Sequence, residues 1–265
     1  FGASIDAVYS DVQVWDLTGA PPPPPPPPGG RSGPVLVVGN SLVDDGGPFL
    51  GLGASYFTAL WRARHDPGRL NSDLAFLSQR GFNYYRMLSM VGWNQSWDGL
   101  EIAPVDFTNE AGKFVPAWSD YWQRFRDLID LAHDQYGLRA QITIFADAQL
   151  MPGKSARIAH MDRILSEVVP GREHKIILIE VANEGFQNGF SGSQGVADMR
   201  EFAQHLSDRT NIPIAISAPQ GDLAGMYAGS AADIATEHFS RDKGPDGGWL
   251  PVHDSWGLEE VPGVP

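Results

Sequence analysis

The chain has 265 residues and a formal net charge of −13, a balance that argues against nucleic acid and anionic membranes as default partners and to which a neutral polymer would be indifferent. The absence of cysteine excludes disulfides and thiolate metal sites, and no run of about 18 apolar residues suggests a membrane-spanning helix. The length suits one large domain or two smaller ones. Because the first residue is Phe rather than Met and no secretory leader is visible, the chain is expected to be a processed or fragmentary piece.

Residues 4–17 alternate with period 2. Val8, Ser10, Val12 and Val14 share one side and Tyr9, Asp11, Gln13 and Trp15 the other, which is a strand pattern. One strand cannot fold alone. Residues 1–20 therefore read as the remnant of an upstream module, or as a strand that docks on the downstream domain. The run Asp11-Val-Gln-Val-Trp-Asp16 resembles the last strand of lectin-like β-sandwich modules. Pro21 to Pro28 is unbroken polyproline followed by Gly29-Gly30. At about 3.1 Å per residue it spans roughly 25 Å, so 21–31 reads as a semi-rigid linker; a docking site for a proline-binding domain is the rival.

After the linker, 35–38 and 41–43 read as short strands, Asp45-Gly46 as a tight hairpin turn, and 49–55 as a further strand. Helices are expected over 57–64 and 71–80, then a strand over 82–89 and a loop bearing Trp93 and Trp97. Tyr121, Trp122, Phe125, Leu128, Ile129 and Ala132 have helical spacing within 118–136, and Gly137 stops that helix. A strand over 138–145 leads to Ala146-Asp147. Residues 155–168 form an amphipathic helix, where His160 reads as a surface or packing residue.

Ile176 to Ile179 are four consecutive aliphatic residues, the mark of a strand buried on both faces. The strand 176–182 ends in Asn183-Glu184-Gly185, and Glu180 inside it must be paired. A helix over 196–210, a strand over 213–217 and a strand over 233–239 containing His238 come next. Six strands alternating with helices indicate an α/β fold with a parallel sheet. In an α/β barrel, reactive groups lie where strands end.

Glu180-x-x-Asn183-Glu184 on this buried strand resembles the fourth-strand motif of the retaining glycoside hydrolases with (β/α)8 TIM barrels, nearest to glycoside hydrolase family 5, the cellulase- and mannanase-like family. The resemblance implies a barrel over 32–265, incomplete at strands one to six, since a whole barrel takes about 250 residues. Val261 to Pro265 would approach strand seven, with the nucleophilic Glu beyond Pro265. Glu184 would be the general acid/base and Asn183 would hold a sugar hydroxyl. Residues 35–55 match the hairpin that closes the barrel floor, followed by strand one. Arg86 matches the inward Arg of strand two, paired with Glu180 or Glu184. His238 matches the site His of strand six, with Ser240 replacing the usual aromatic. Gly185 stands where the family usually has Pro, and Ala146-Asp147 where it often has His. Asp147 then either contacts a sugar hydroxyl or caps the next loop. Eight Trp are available for stacking on sugar rings, and Trp93, Trp97 and Trp256 fall nearest the expected mouth, with Trp249 beside them. The family's habit is secretion as modular enzymes acting on polysaccharides, which would place this chain outside the cell beside an upstream accessory module, with no cofactor and no metal.

Retaining hydrolysis needs two carboxyls about 5–5.5 Å apart, one protonated and one attacking, and the second raises the pKa of the first. Strict alternation would send Asn183 and Glu184 to opposite sides, so both reach one cleft only if the backbone kinks. Within the chain, Glu237, Glu259, Glu260 and Asp147 are poor candidates for the nucleophile. Two other readings stand: a barrel that binds glycans without catalysis, and an unrelated α/β enzyme in which Glu184 and Asp147 serve another reaction or a divalent metal. No Ser nucleophile elbow, phosphate loop, zinc spacing or basic groove is present.

Overall fold

The computed structural model describes residues 33–93, 100–109, 111–219 and 223–238. The 4–17 strand, the linker, Trp97, Trp249, Trp256 and residues 239–265 lie outside them. The described chain opens with an antiparallel meander of β1 (Leu36–Val38), β2 (Ser41–Asp44) and β3 (Gly47–Pro48). Asp44 closes the turn by accepting from Gly46 N at 2.9 Å. The next strand is shorter than expected: β4 spans only Gly53–Ser55. Asn83 is the reason, since its Nδ2 donates to Leu50 O at 2.7 Å and its Oδ1 accepts from Leu52 N at 2.8 Å, satisfying backbone that would otherwise pair in the sheet.

Helices α1 (Ala59–His65) and α2 (Pro67–Gln79) come after it. Asp66 caps α2 by accepting from Arg69 N, and Pro67 occupies its first turn. Strand β5 (Tyr84–Leu88) leads into two small hairpins that the sequence pattern does not reveal. They are β6 (Val91–Trp93) with β7 (Leu100–Ile102), and β8 (Phe107–Thr108) with β9 (Phe114–Val115). Helix α3 (Tyr121–Tyr136) ends at Gly137, whose φ of 68° is left-handed. Next come β10 (Arg139–Phe145), α4 (Lys154–Arg163), β11 (Ile176–Ala182), α5 (Gly192–Ser207), β12 (Ile214–Pro219), α6 (Leu223–Tyr227) and β13 (Ile234–His238). The helix expected over 155–168 is α-helical only to Arg163 and widens to a π turn over Ile164–Val168. Among the described residues, no helix is long and apolar enough to cross a membrane.

Six strands form one parallel sheet in the order β4-β5-β10-β11-β12-β13. Strand order follows chain order without reversal. Right-handed crossovers then place every helix on the same face, which is the winding of a barrel; a doubly wound sheet reverses at its middle. The fold is a half-barrel of six strands. Its inner face is polar where the register aligns Arg86 with Gln141, Thr143 with Glu180, and Ser217 with Thr236. Below that layer Leu178 and Ala215 pack with Val35 and Phe49 of the meander, so the meander closes the floor as expected. A buried Arg139–Asp44 ion pair at 2.8 Å fastens it there.

On the helix side, His160 sits among the rings of Trp122, Phe145 and Tyr121 at 5.6, 5.8 and 6.4 Å. It is a packing residue, 5% exposed, whose Nε2 has no hydrogen-bond partner among the described residues. Burial, with the nearby Arg163 charge second, lowers its pKa to about 4. An unfolded His titrates near 6.5, so between these values the unfolded chain binds the extra proton. This contribution to stability is complete above about pH 6.5 and is lost as pH falls toward about 4. Urea titrations should give about 2 kcal/mol less stability at pH 5 than at pH 7.5 from this group, and His160→Phe should flatten that slope. An unchanged slope in the variant would show that other groups carry the acid sensitivity.

Candidate active site

The site is built at the end of β11. Glu180 is fully buried, and a lone carboxylate there would be prohibitively costly. Arg86, projecting from β5, supplies the partner: its Nε and Nη2 donate to Glu180 Oε2 at 2.9 and 2.7 Å. Thr143 Oγ1 donates to the same oxygen at 2.6 Å, and Thr236 Oγ1 donates to Glu180 Oε1 at 2.8 Å. Three strands thus converge on one carboxylate carried by a fourth, and the partner of Arg86 is Glu180. Arg86 Nη2 also donates to Asn183 Oδ1 at 3.0 Å. That contact fixes which way the Asn183 amide faces and turns Nδ2 to the opposite side.

Glu184 comes next with φ of +44°, the one non-glycine left-handed residue among the described residues. This is the kink that strand alternation demands if Asn183 and Glu184 are to serve one cleft. The conformation costs about 1–2 kcal/mol for a residue with a Cβ. It is held in place: Glu184 O accepts from Gln187 N and Asn188 N at 2.8 and 3.1 Å, and Asn188 Nδ2 donates to Asn183 O at 2.8 Å. The Glu184 side chain is half-buried. Gly185 has a packing reason, because a Cβ there would meet Met199 Sδ at 2.3 Å. Glu184→Gly is therefore expected to raise stability by about 0.5–1 kcal/mol, read as a higher midpoint in urea. A lower midpoint would mean that the side chain's own contacts outweigh the strain.

Asp147 lies two residues past the end of β10 and is 1% exposed. Its Oδ2 accepts from Gly92 N at 2.7 Å, and its Oδ1 accepts from Trp93 Nε1 and Gln149 Nε2 at 2.8 and 3.0 Å. Burial pushes this carboxyl up, and those three donors oppose the shift. The sequence allows Asp147 a sugar contact or a cap on the loop after it. In the structure Asp147 makes no side-chain cap on that loop and instead ties down the preceding hairpin. It thereby orients Trp93, whose half-buried ring meets Phe57 edge-on at 6.2 Å. Phe57 in turn lies 5.5 Å from the Arg86 guanidinium.

Asp147, Asn183 and Glu184 lie just past the C-terminal ends of β10 and β11, Trp93 lies on the hairpin tied there by Asp147, and Arg86 reaches Asn183 from the middle of β5. His238 ends β13, opposite Pro219 of β12; its side chain is outside the described part. Trp97 and Trp256 lie wholly outside. Phe57, Thr143 and Thr236 escape the sequence pattern. Their signal is weak, a hydroxyl or ring at an inward position of a strand or just after one. Among the described residues no group of three or more His, Asp or Glu is placed to hold a metal ion.

No protein-family model matches the sequence, and neither does any curated protein. Among solved structures, the chain is similar to a glycoside hydrolase family 5 protein from Bacteroides vulgatus. The two are 13% identical with a TM-score of 0.53, over 77% of this chain and 44% of that one. A family 113 β-mannanase from Alicyclobacillus acidocaldarius aligns at 11% identity and TM-score 0.42, over 71% of this chain and 59% of that one. A family 1 β-glucosidase from Thermotoga maritima aligns at 11% identity and TM-score 0.39, over 61% and 38%. At such identities the likeness is one of fold, and of these three only the family 5 alignment is close enough to use. The class is therefore a (β/α)8 barrel of the kind found in glycoside hydrolases, represented here by six strands. The chain spans less than half the length of the family 5 structure.

Proposed function

We propose that this chain is the acid/base-bearing part of a retaining glycoside hydrolase that cleaves a β-linked polysaccharide of the cellulose or mannan type. Glu184 is the general acid that protonates the departing glycosidic oxygen, then the base that activates water. Asn183 donates from Nδ2 to the hydroxyl beside the reacting carbon, with Arg86 holding its orientation. The nucleophilic carboxylate comes from a strand outside the described residues. Trp93, Trp97 and Trp256 supply stacking faces, and His238 lines the same cleft. Asp147 acts through Trp93, whose ring it holds.

The observation that carries this reading is the left-handed backbone at Glu184. Strain of that kind persists where the surrounding structure enforces it, and it clusters at functional sites. It occurs here at the strand end where barrel enzymes place their chemistry. The octaproline linker supports a modular protein acting outside the cell with an upstream accessory module.

The test uses the longest natural chain carrying this sequence, assayed on β-glucan, β-mannan and β-xylan. Hydrolysis with retained anomeric configuration, lost in Glu184→Gln with glycan binding preserved, is the expected result. Glycan binding without turnover in the wild type would make the protein a binding barrel. Turnover that survives Glu184→Gln would remove Glu184 from the chemistry.

A further inference from the structure

We propose that Arg157 is a positioning residue that clamps the two loops after β10 and β11 into one rigid unit and so sets where Glu184 stands. The first half of this inference is independent of the proposed function; the catalytic consequence rests on it.

Arg157 lies in the first turn of α4, on the helix side of the sheet, and is buried. Its guanidinium donates to three backbone carbonyls from two different loops. Nε reaches Met151 O at 2.7 Å and Nη2 reaches Ala148 O at 2.8 Å, both after β10. Nη1 reaches Gly189 O at 3.3 Å, after β11. Its face lies 4.6 Å from the Phe190 ring, a favourable cation–π placement. Burial lowers its pKa, and the more distant Asp198 charge opposes that. A buried guanidinium bound to neutral carbonyls is an expensive way to join two loops. An Arg fork is the side chain that can serve three acceptors in different directions.

The loops it joins are in direct contact as well. Ala148 N donates to Asn188 O at 3.2 Å. Gly189, at φ +89°, approaches so closely that a Cβ would meet Gln149 N at 2.6 Å. One loop begins with Asp147, which holds Trp93. The other begins with Glu184, whose carbonyl anchors Gln187 and Asn188. Movement at Gly189 is therefore passed to the Glu184 turn through the short segment 185–188. A displacement of about 1 Å at a reacting group costs about a hundredfold in rate.

Two substitutions test the clamp. Arg157→Lys keeps a charge but not the fork. Gly189→Ala forces the loops apart while leaving Arg157 in place. In both, hydrogen exchange of the Ala148, Asn188 and Phe190 amides should accelerate together at least tenfold, while amides of β10 and β11 keep their protection. Arg163→Lys, an exposed change on the same helix, should leave all three unchanged. Independent behaviour of the two loops, or no acceleration in either variant, overturns the clamp whatever the protein's activity.

With glycan substrate, kcat should fall about ten- to a hundredfold in Arg157→Lys with KM little changed. No further fall should occur when Glu184→Gln is already present. Faster loop exchange with full kcat would overturn the positioning role and leave the clamp. An inactive wild type would remove the proposed function, and the exchange data alone would then decide the clamp.

Discussion

Glu184→Gln is expected to lower kcat/KM on an unactivated β-linked glycan by about 10² to 10⁴, the range supplied by a positioned general acid. The amide keeps the size and the backbone turn of the carboxyl but cannot release a proton to the glycosidic oxygen. The loss should shrink on aryl glycosides whose leaving group needs no protonation. That dependence on the leaving group separates proton donation from a role in binding, which would weaken all substrates alike. It also separates the chemistry from the strain at this position, because Gln retains the Cβ that makes φ of +44° costly. Glu184→Gly removes both, and should give a more stable protein with no activity. A variant pair in which both substitutions left aryl and natural substrates equally affected would count against an acid role.

Arg86→Met is expected to destabilise the fold by about 3–5 kcal/mol, because it leaves the Glu180 carboxylate buried without its counter-charge. Thr143 and Thr236 would still donate to Glu180, but hydroxyls do not neutralise a charge. Guanidinium or urea denaturation should show the loss. Combining Arg86→Met with Glu180→Leu should recover a sizeable part of it, since replacing both partners removes the uncompensated ion. If the double variant is no better than the single one, the hydroxyls and amides around the pair, and not the charges, hold the strands together. The same variant removes the donor that Asn183 Oδ1 accepts from at 3.0 Å. Activity in Arg86→Met should therefore fall even at temperatures where the protein remains folded.

The strands are legible where a short-range pattern dictates them. β11 spans Ile176–Ala182 as the apolar run implies, and α3 stops at Gly137 because only a residue without Cβ turns left-handed there at no cost. The two hairpins after β5 are not legible. Their strands are two or three residues long, too short to show a period, and their pairings, such as Val91 with Ile102, join segments whose spacing carries no local signal. The same limit applies to Asp147, whose donors on Gly92 and Trp93 lie more than fifty positions away.

Periodicity and strand-end chemistry, both properties of neighbouring residues, are enough to derive an α/β chain of six strands and to single out Asn183-Glu184. They also raise the requirement that Glu180 be paired and that the backbone bend before Glu184. Which Arg, Thr and Asp answer those requirements is a matter of register between strands far apart in the chain. Register depends on how whole strands and helices pack, so the Arg86–Glu180 pair, the Asp147 tether and the Arg157 clamp exist only once the sheet has assembled.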